Sequence, residues 1–467
     1  MQSFTHDTYI SPLTWRYGSE PMRFLFSETH KRRLLRRVWI ALASAQMEAG
    51  LVTEQQVSEL KAHQDSVDID RAMAIEAEIH HDLMAEIKTY AEQCPNAAPI
   101  IHLGATSMDI LDNMDALRLK EALGLLIKQT ETLLSAFVVK METYADTPCM
   151  AFTHIQPAEP TTVGYRFAQT AQDLKEDLQS LIAIHDSIRG KGMKGAVGTS
   201  ASYTELLKGT AFTAREMEQK VMENLGIEAY TAATQIYTRK QDLRIGQTIS
   251  SLCCTLSKFF FDFRLLQTPP IGEWSEPFGS KQVGSSAMPF KRNPINSEKI
   301  DSLCRYVDGQ VSALWQNAAS TLLERTLDDS ANRRMILPDL FLTTDEILST
   351  ALKVVTGMQI HSKGIERNLS SYGIFAASER LLMELGKRGA NRQEMHELIR
   401  SHSLKAWAEV QDGQPNTLKQ MLKQDPEVRS FLSESEIETV LDARDYTGDA
   451  ALRTRLVIEE VQAVLSR

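Results

Sequence analysis

Apolar residues recur at helical spacing in this chain over stretches roughly twice as long as an ordinary globular helix, and few folds accommodate that. Residues 27–49 carry Leu34, Leu35, Val38, Leu42, Ala45 and Met47 at helical intervals, and Gly50 is a natural stop. Residues 114–146 read as one helix with Leu117, Leu126, Leu133, Leu134, Phe137, Val138, Met141 and Tyr144, closed by Pro148. Further long segments run from about Pro160 to Ile188, Thr238 to Leu266, Pro294 to Leu323 and Arg334 to Met358. Pro338 in the last is read as a kink or a first-turn residue. Strand-like alternation is scarce, so the expected class is all-α. The heptads are not strict, which argues against a fibrous coiled coil. Long helices with apolar surface on more than one side need neighbours, so an oligomer is expected.

Breaks in this pattern divide the chain into three parts: residues 1–107, 108–360 and 361–467. The first ends in the loop near Pro95–Thr106, the second holds five long helices, and the third is expected to have shorter ones. Two loops interrupt the middle part, Gly190 to Ser202 and Pro269 to Asn293. Loops of that length in a helical protein commonly carry function.

Composition narrows the class of partner. Against 51 Lys and Arg stand 61 Asp and Glu, a net charge of −10 over 467 residues. Nucleic acid needs clustered positive charge, so it is not an expected partner. A small anion answers to local charge and stays open. Apolar residues are 43% and charged residues 24%, as in a soluble globular protein. No apolar run approaches the ~18 residues of a membrane span, so no membrane partner is expected. The start, MQSFTHDTYI, lacks the basic-then-apolar pattern of a secretory signal. The five cysteines form no C-x-x-C pair and read as reduced thiols. A cytoplasmic protein without a zinc ribbon or a redox Cys pair is expected.

Several motifs carry chemistry, each beside a plainer reading. Gly190, Gly192 and Gly195 match G-x-G-x-x-G, but no strand precedes them and no βαβ unit follows. They fit better as a loop packed tightly against its surroundings. His80-His81-Asp82 lies in a helix-like stretch, where neighbours point about 100° apart, so one histidine can face a shared site. Thr106 and Ser107 sit at a helix start, suited either to capping or to holding a carboxylate. His154 stands just ahead of a long helix and is either structural or an acid–base group. In GSSAMPFKRNP, residues 284–294, a glycine and two serines make a mobile loop. Lys291 and Asn293 there supply a cation and an amide that can stabilise charge developing on a carboxylate. In residues 324–334 the arginines Arg325, Arg333 and Arg334 and Ser330 suit a phosphate, while Asp328 and Asp329 compete for them.

Together these segments are recognisable. GSSAMPFKRNP resembles the signature of the fumarase/aspartase/argininosuccinase lyase superfamily. With SPLTWRY, HHD, HLGATS, FTHIQPAEPTT, TQIYTRK, ERTLDDSANRR and KRGANRQEMHELIR, the chain is similar to the adenylosuccinate lyase family over nearly its whole length. The resemblance implies a homotetramer built on a core of about twenty helices, with each active site assembled from three subunits. It implies β-elimination of fumarate from adenylosuccinate, giving AMP, and from the succinylaminoimidazole-carboxamide ribotide (SAICAR), giving AICAR, with no metal or organic cofactor. It implies Ser285 as the base, with Ser286 its competitor, and His154 as the acid that protonates the leaving nitrogen. Lys291 and Asn293 match stabilisers of the carbanion, Thr106 and Ser107 a carboxylate contact, and Gln235 a polar contact. His81, with Asp82 beside it, matches a histidine that orients the substrate. Arg16, Tyr17, Arg325, Ser330 and Arg334 match phosphate and ribose contacts.

Two positions depart from the family's pattern. Lys299 stands where close relatives carry Arg, which keeps the charge but loses the bidentate fork. His80 stands where an Arg often precedes the His-Asp pair. Both bear on substrate preference and not on reaction type. The alternatives are another fumarate-releasing lyase, such as argininosuccinate lyase, or a non-catalytic helical scaffold. The first leaves the Arg325/Arg334 group without a phosphate, and the second leaves Ser285, His154 and Lys291 without a purpose.

Overall fold

The structure, a computed structural model, describes residues 7–279 and 281–466. Its regular elements are overwhelmingly helical, joined by three small two-stranded sheets. Helix α1 spans Glu28–Glu48, and Ser27 starts it by accepting the His30 N–H at 3.1 Å. Five long helices follow: α2 (Ser107–Tyr144), α3 (Val163–Asp186), α4 (Lys240–Leu266), α5 (Ile295–Ala319) and α6 (Ser330–Gly357). They are 38, 24, 27, 25 and 28 residues long.

The boundaries depart from the periodic reading in instructive places. Residues ahead of α3 form an antiparallel hairpin, β1 (Pro148–Thr153) and β2 (Gln156–Thr162), so the helix starts at Val163 and not near Pro160. Helix α6 begins at Ser330, and Pro338 lies well inside it. One missing N–H is tolerated there within a long packed helix. Beyond residue 361, α7 (Ser362–Lys387) has 26 residues, so the last part is not built of short helices alone. One 18-residue window of α2 is also apolar enough, by length and composition, to cross a membrane. Leu117, Leu126, Leu133 and Phe137 of α2 are buried in the protein, and 44% of that window is buried.

Two compact units divide the chain. The first comprises Met1–Thr130, Asp177–Cys254 and Ser302–Ser349, the second Glu131–Glu176, Thr255–Asp301 and Thr350–Arg467. Each of α2 to α6 contributes residues to both.

In the first unit α1 packs on the helix Ala214–Leu225. Its centre holds a network of buried charge. Arg239 donates to Asp329 at 2.6 Å and to both Asp112 oxygens at 3.1 Å. Arg333 donates to Asp242 at 2.7 Å, to the Tyr237 hydroxyl at 2.9 Å and to Asp115 at 3.2 Å. Burial opposes the charge on Arg333, yet Asp242, Tyr237, Asp115 and Asp112 raise its pKa well above the ordinary guanidinium value. Such a network adds little net stability over apolar packing, but removing one partner strands the rest.

The second unit centres on aromatic packing. Phe167 stacks on Trp274 at 4.9 Å, and Phe137, Phe259 and Phe263 close around them. Buried Glu273 pairs with Arg166 and accepts from Asn368 Nδ2 at 2.9 Å. The β1–β2 hairpin packs on α7, whose far end joins an apolar cluster with Met395, Leu418, Leu422, Val428 and Ile437.

Replacing one arginine of the first network tests it. Arg333→Met leaves Asp242 buried without its cation, while Asp115 keeps Arg118 at 2.6 Å, and urea unfolding should show a loss of about 3–5 kcal/mol. Arg334→Met, one residue on and exposed, should cost less than about 1 kcal/mol.

Candidate active site

In the first unit, the singled-out residues sit at the ends and junctions of helices. Arg16 follows the short helix Pro12–Trp15 and is exposed, its guanidinium 5.7 Å from the Trp15 ring centre and 6.0 Å from that of Tyr17. The segment after it is tied to α6. Gly18 N–H donates to Glu346 at 3.1 Å, and Ser19 Oγ donates to Asp345 at 3.0 Å. Gln129 Nε2 also donates to Asp345 at 2.7 Å, so this buried carboxylate anchors the segment just after Arg16 and Tyr17.

His80 and His81 do not lie within one helix. His80 ends the helix Ile69–Ile79 in the left-handed region at φ +52°, and His81 caps the next, Asp82–Gln93. His81 Nδ1 accepts the Met84 N–H at 3.3 Å, so a neutral ring carries its proton on Nε2. The ring is exposed. Asp82 lies 3.9 Å from His81 and accepts from Arg334 at 3.2 Å, which brings residues 252 positions apart in the chain into one cluster. Arg325 is drawn to Asp329 at 2.7 Å, and beside it the Gln235 N–H donates to the Glu324 carbonyl at 3.2 Å. This last bond joins two backbone groups, and the Gln235 side chain has no partner among the described residues. Ser330 opens α6, with its N–H on the Leu327 carbonyl at 3.0 Å.

Thr106 and Ser107 stand at the start of α2, half-buried, and their hydroxyls have no partner among the described residues. Directly behind them is Asp109, which is fully buried. Its carboxylate accepts from Thr106 N–H at 3.0 Å, Gly195 N–H at 3.1 Å, Lys194 N–H at 3.2 Å and the Tyr203 hydroxyl at 3.2 Å. Lys191 Nζ, also fully buried, pairs with it at 2.5 Å. Burial lowers the Lys191 pKa, and Asp109 opposes that shift. Here the Gly190–Ser202 loop packs tightly, as its glycines suggest. Gly192 has φ +80°, and a Cβ on it would lie 2.2 Å from Glu218. Sequence reasoning passed over Asp109, although T-x-x-D at a helix start is a capping signal. Nearby His102 accepts the Trp39 N–H on Nδ1 at 3.2 Å, and burial lowers its pKa, so its ring is neutral.

The second unit holds the remaining candidates. His154 lies not beside a helix but at the tip of the β1–β2 hairpin, because Thr153 pairs with Gln156 and leaves a two-residue turn. His154 and Ile155 have φ of +53° and +61°, the pattern of a type I′ turn. Residues with side chains are strained there, and such strain gathers at functional sites. The His154 ring is exposed.

The loop before α5 holds the other candidates. Ser285 Oγ accepts the Met288 N–H at 3.1 Å and the Ala287 N–H at 3.3 Å. Ser286 is exposed and makes no such bond among the described residues. Asn293 Nδ2 reaches the Gly284 carbonyl at 3.5 Å, and a Cβ on Gly284 would lie 2.2 Å from the Lys291 carbonyl. Lys291 is exposed, and Lys299 is half-buried near the start of α5. The loop's end is fixed by Glu276, which accepts from Ser297 N–H and Oγ at 2.7 Å each. No cluster of three or more His, Cys, Asp or Glu among the described residues could hold a metal ion.

The model of the family described as "Lyase" matches residues 19–309, and that of "Adenylosuccinate lyase C-terminus" matches residues 375–455. Adenylosuccinate lyase of Schistosoma mansoni is 39% identical over 98% of this chain and 95% of its own. The enzymes of Saccharomyces cerevisiae and Pyrococcus horikoshii are each 36% identical, over 97% and 98% of this chain and 95% and 99% of their own. The 3-carboxy-cis,cis-muconate lactonizing enzyme of Pseudomonas putida shares the fold, with a TM-score of 0.85 at 24% identity over 97% of this chain and 100% of its own. This chain is a carbon–nitrogen lyase and belongs to the adenylosuccinate lyase family.

Proposed function

We propose that this chain eliminates fumarate from adenylosuccinate, leaving AMP, and from SAICAR, leaving AICAR. The substrate's succinyl group carries a C–H next to a carboxylate and, one carbon away, the C–N bond to be broken. A base removes the proton, and the electron pair moves into the carboxylate. It then returns to form the C=C bond of fumarate as the C–N bond breaks, and the nitrogen takes up a proton from an acid.

Ser285 is the base. The supporting observation is that its Oγ, unlike that of Ser286, already accepts two backbone N–H groups. Those donors stabilise negative charge on the oxygen, which is what a serine needs to take a proton from carbon. Lys291 and Asn293 face the carboxylate as it gains charge, and Thr106 and Ser107 hold a carboxylate at the start of α2. His154 donates the proton to the departing nitrogen from its strained hairpin tip. His81 orients the substrate through Nε2, with Asp82 keeping Arg334 nearby. Arg16, Tyr17, Arg325, Ser330 and Arg334 bind the phosphate and ribose, Lys299 adds a cation toward the substrate, and Gln235 makes a further polar contact. No metal or organic cofactor takes part.

The working form is a cytoplasmic homotetramer with a core of about twenty helices, and each site draws on three subunits. The three parts 1–107, 108–360 and 361–467 then act as segments threaded around one bundle. Exposed aromatic side chains on the long helices support such a partner: Phe261 on α4 is 61% exposed and Trp315 on α5 is 52% exposed.

Incubation with adenylosuccinate should release fumarate, and incubation with argininosuccinate should not. No fumarate from adenylosuccinate would sink the reading. Ser285→Ala and His154→Ala should each lower kcat by at least about 100-fold while the tetramer persists. An active Ser285→Ala beside an inactive Ser286→Ala reverses the assignment of the base. Mixing the two inactive proteins under conditions of subunit exchange should restore part of the activity. Failure to do so, with exchange demonstrated, counts against shared sites.

A further inference from the structure

Thr106 and Ser107 can hold a carboxylate only if the first turn of α2 keeps its place, and the residue that keeps it is fully buried. Asp109 accepts five donors from three stretches of chain: Thr106 N–H, Lys194 N–H, Gly195 N–H, the Tyr203 hydroxyl and the Lys191 ammonium. Lys191 also donates to the Gly195 carbonyl at 2.8 Å, so the cation and the loop share the same anchor. A bare carboxylate one helical turn from an anion site would repel the anion. Lys191, fully buried and 2.5 Å away, cancels that charge without competing for substrate in solvent.

We propose that Asp109 is the positioning residue of the Thr106–Ser107 carboxylate site, and that Lys191 acts through Asp109 as its fixed counter-charge. This rests on the function proposed above only in naming the carboxylate as one end of fumarate. Neither residue touches the reacting atoms. Asp109 locks the turn to the Gly190–Ser202 loop, and the neutral Asp109–Lys191 pair leaves the unpaired hydroxyls and helix-start N–H groups free to attract an anion.

Calorimetric binding of fumarate and of AMP to the full-length protein tests this without relying on turnover. Fumarate reports the carboxylate site, and AMP lacks the succinyl carboxylates. In Asp109→Ala, fumarate affinity should fall about tenfold or more while AMP affinity stays within about twofold. Lys191→Met should shift fumarate in the same direction, and the Asp109→Ala/Lys191→Met double variant should be no worse than Asp109→Ala alone, because Lys191 acts through Asp109. Should Asp109→Ala fail to fold, Tyr203→Phe removes one donor and keeps the ion pair, and it should weaken fumarate alone by about two- to fivefold. Equal weakening of fumarate and AMP, or unchanged fumarate binding in a folded variant, overturns the assignment. A wild type that binds both ligands yet releases no fumarate from adenylosuccinate counts against the proposed reaction, and the fumarate-to-AMP comparison still decides the role of Asp109.

Discussion

Two buried arginines bind the first unit together. Arg239 joins Asp112 on α2 to Asp329 just ahead of α6, and Arg333 on α6 joins Asp115 on α2 to Asp242 on α4. Three long helices therefore share two guanidinium groups in the interior of the unit. Desolvation of so many charges leaves little net gain over apolar packing, so the consequence lies in register: a helix that slides by one residue leaves a charge unpaired. Arg325 and Arg334 flank this network on the same short stretch, and their placement follows from it.

The functional candidates share a pattern of support. Each is exposed or half-buried, and several are held from behind by a buried carboxylate. Asp345 anchors the segment after Arg16 and Tyr17, Asp109 anchors Thr106, and Glu276 anchors the end of the Ser285 loop. A carboxylate suits this task because it accepts several backbone N–H groups at once. The left-handed backbone at His80 and His154 is a second device, since it turns a side chain out of a regular element at a cost the surrounding packing must meet.

Much of this was legible from residue order, and the failures have physical causes. Long helices announce themselves because a buried face must repeat every 3.6 residues, and α1 and α4 fall close to their expected limits. The hairpin was not legible: Pro157 and Pro160 in β2 are poor strand signals, and the pairing that makes the hairpin is a backbone property. The break at His80 was hidden because a left-handed residue other than glycine leaves no mark in composition. The GSSAMPFKRNP stretch offered its candidates by residue type, yet only folding shows that the Ser285 hydroxyl and not that of Ser286 meets two N–H groups. Net charge misled least where it was read locally, since Arg16, Lys291 and Arg334 are exposed in a chain of net charge −10.

Helical class, segment lengths and the chemistry-bearing motifs are thus written in local order, because periodicity and residue type act over one or two turns. Partnership is not. Asp109 with Lys191, Arg333 with Asp242 and Asp82 with Arg334 are separated by 82, 91 and 252 residues. Such pairs form only when distant stretches of chain come side by side, and burial makes the partners of the first two pairs depend on each other, while Asp82 and Arg334 meet at the surface. Folding alone decided which arginine of the neighbouring pair would be sealed in the core and which would face solvent.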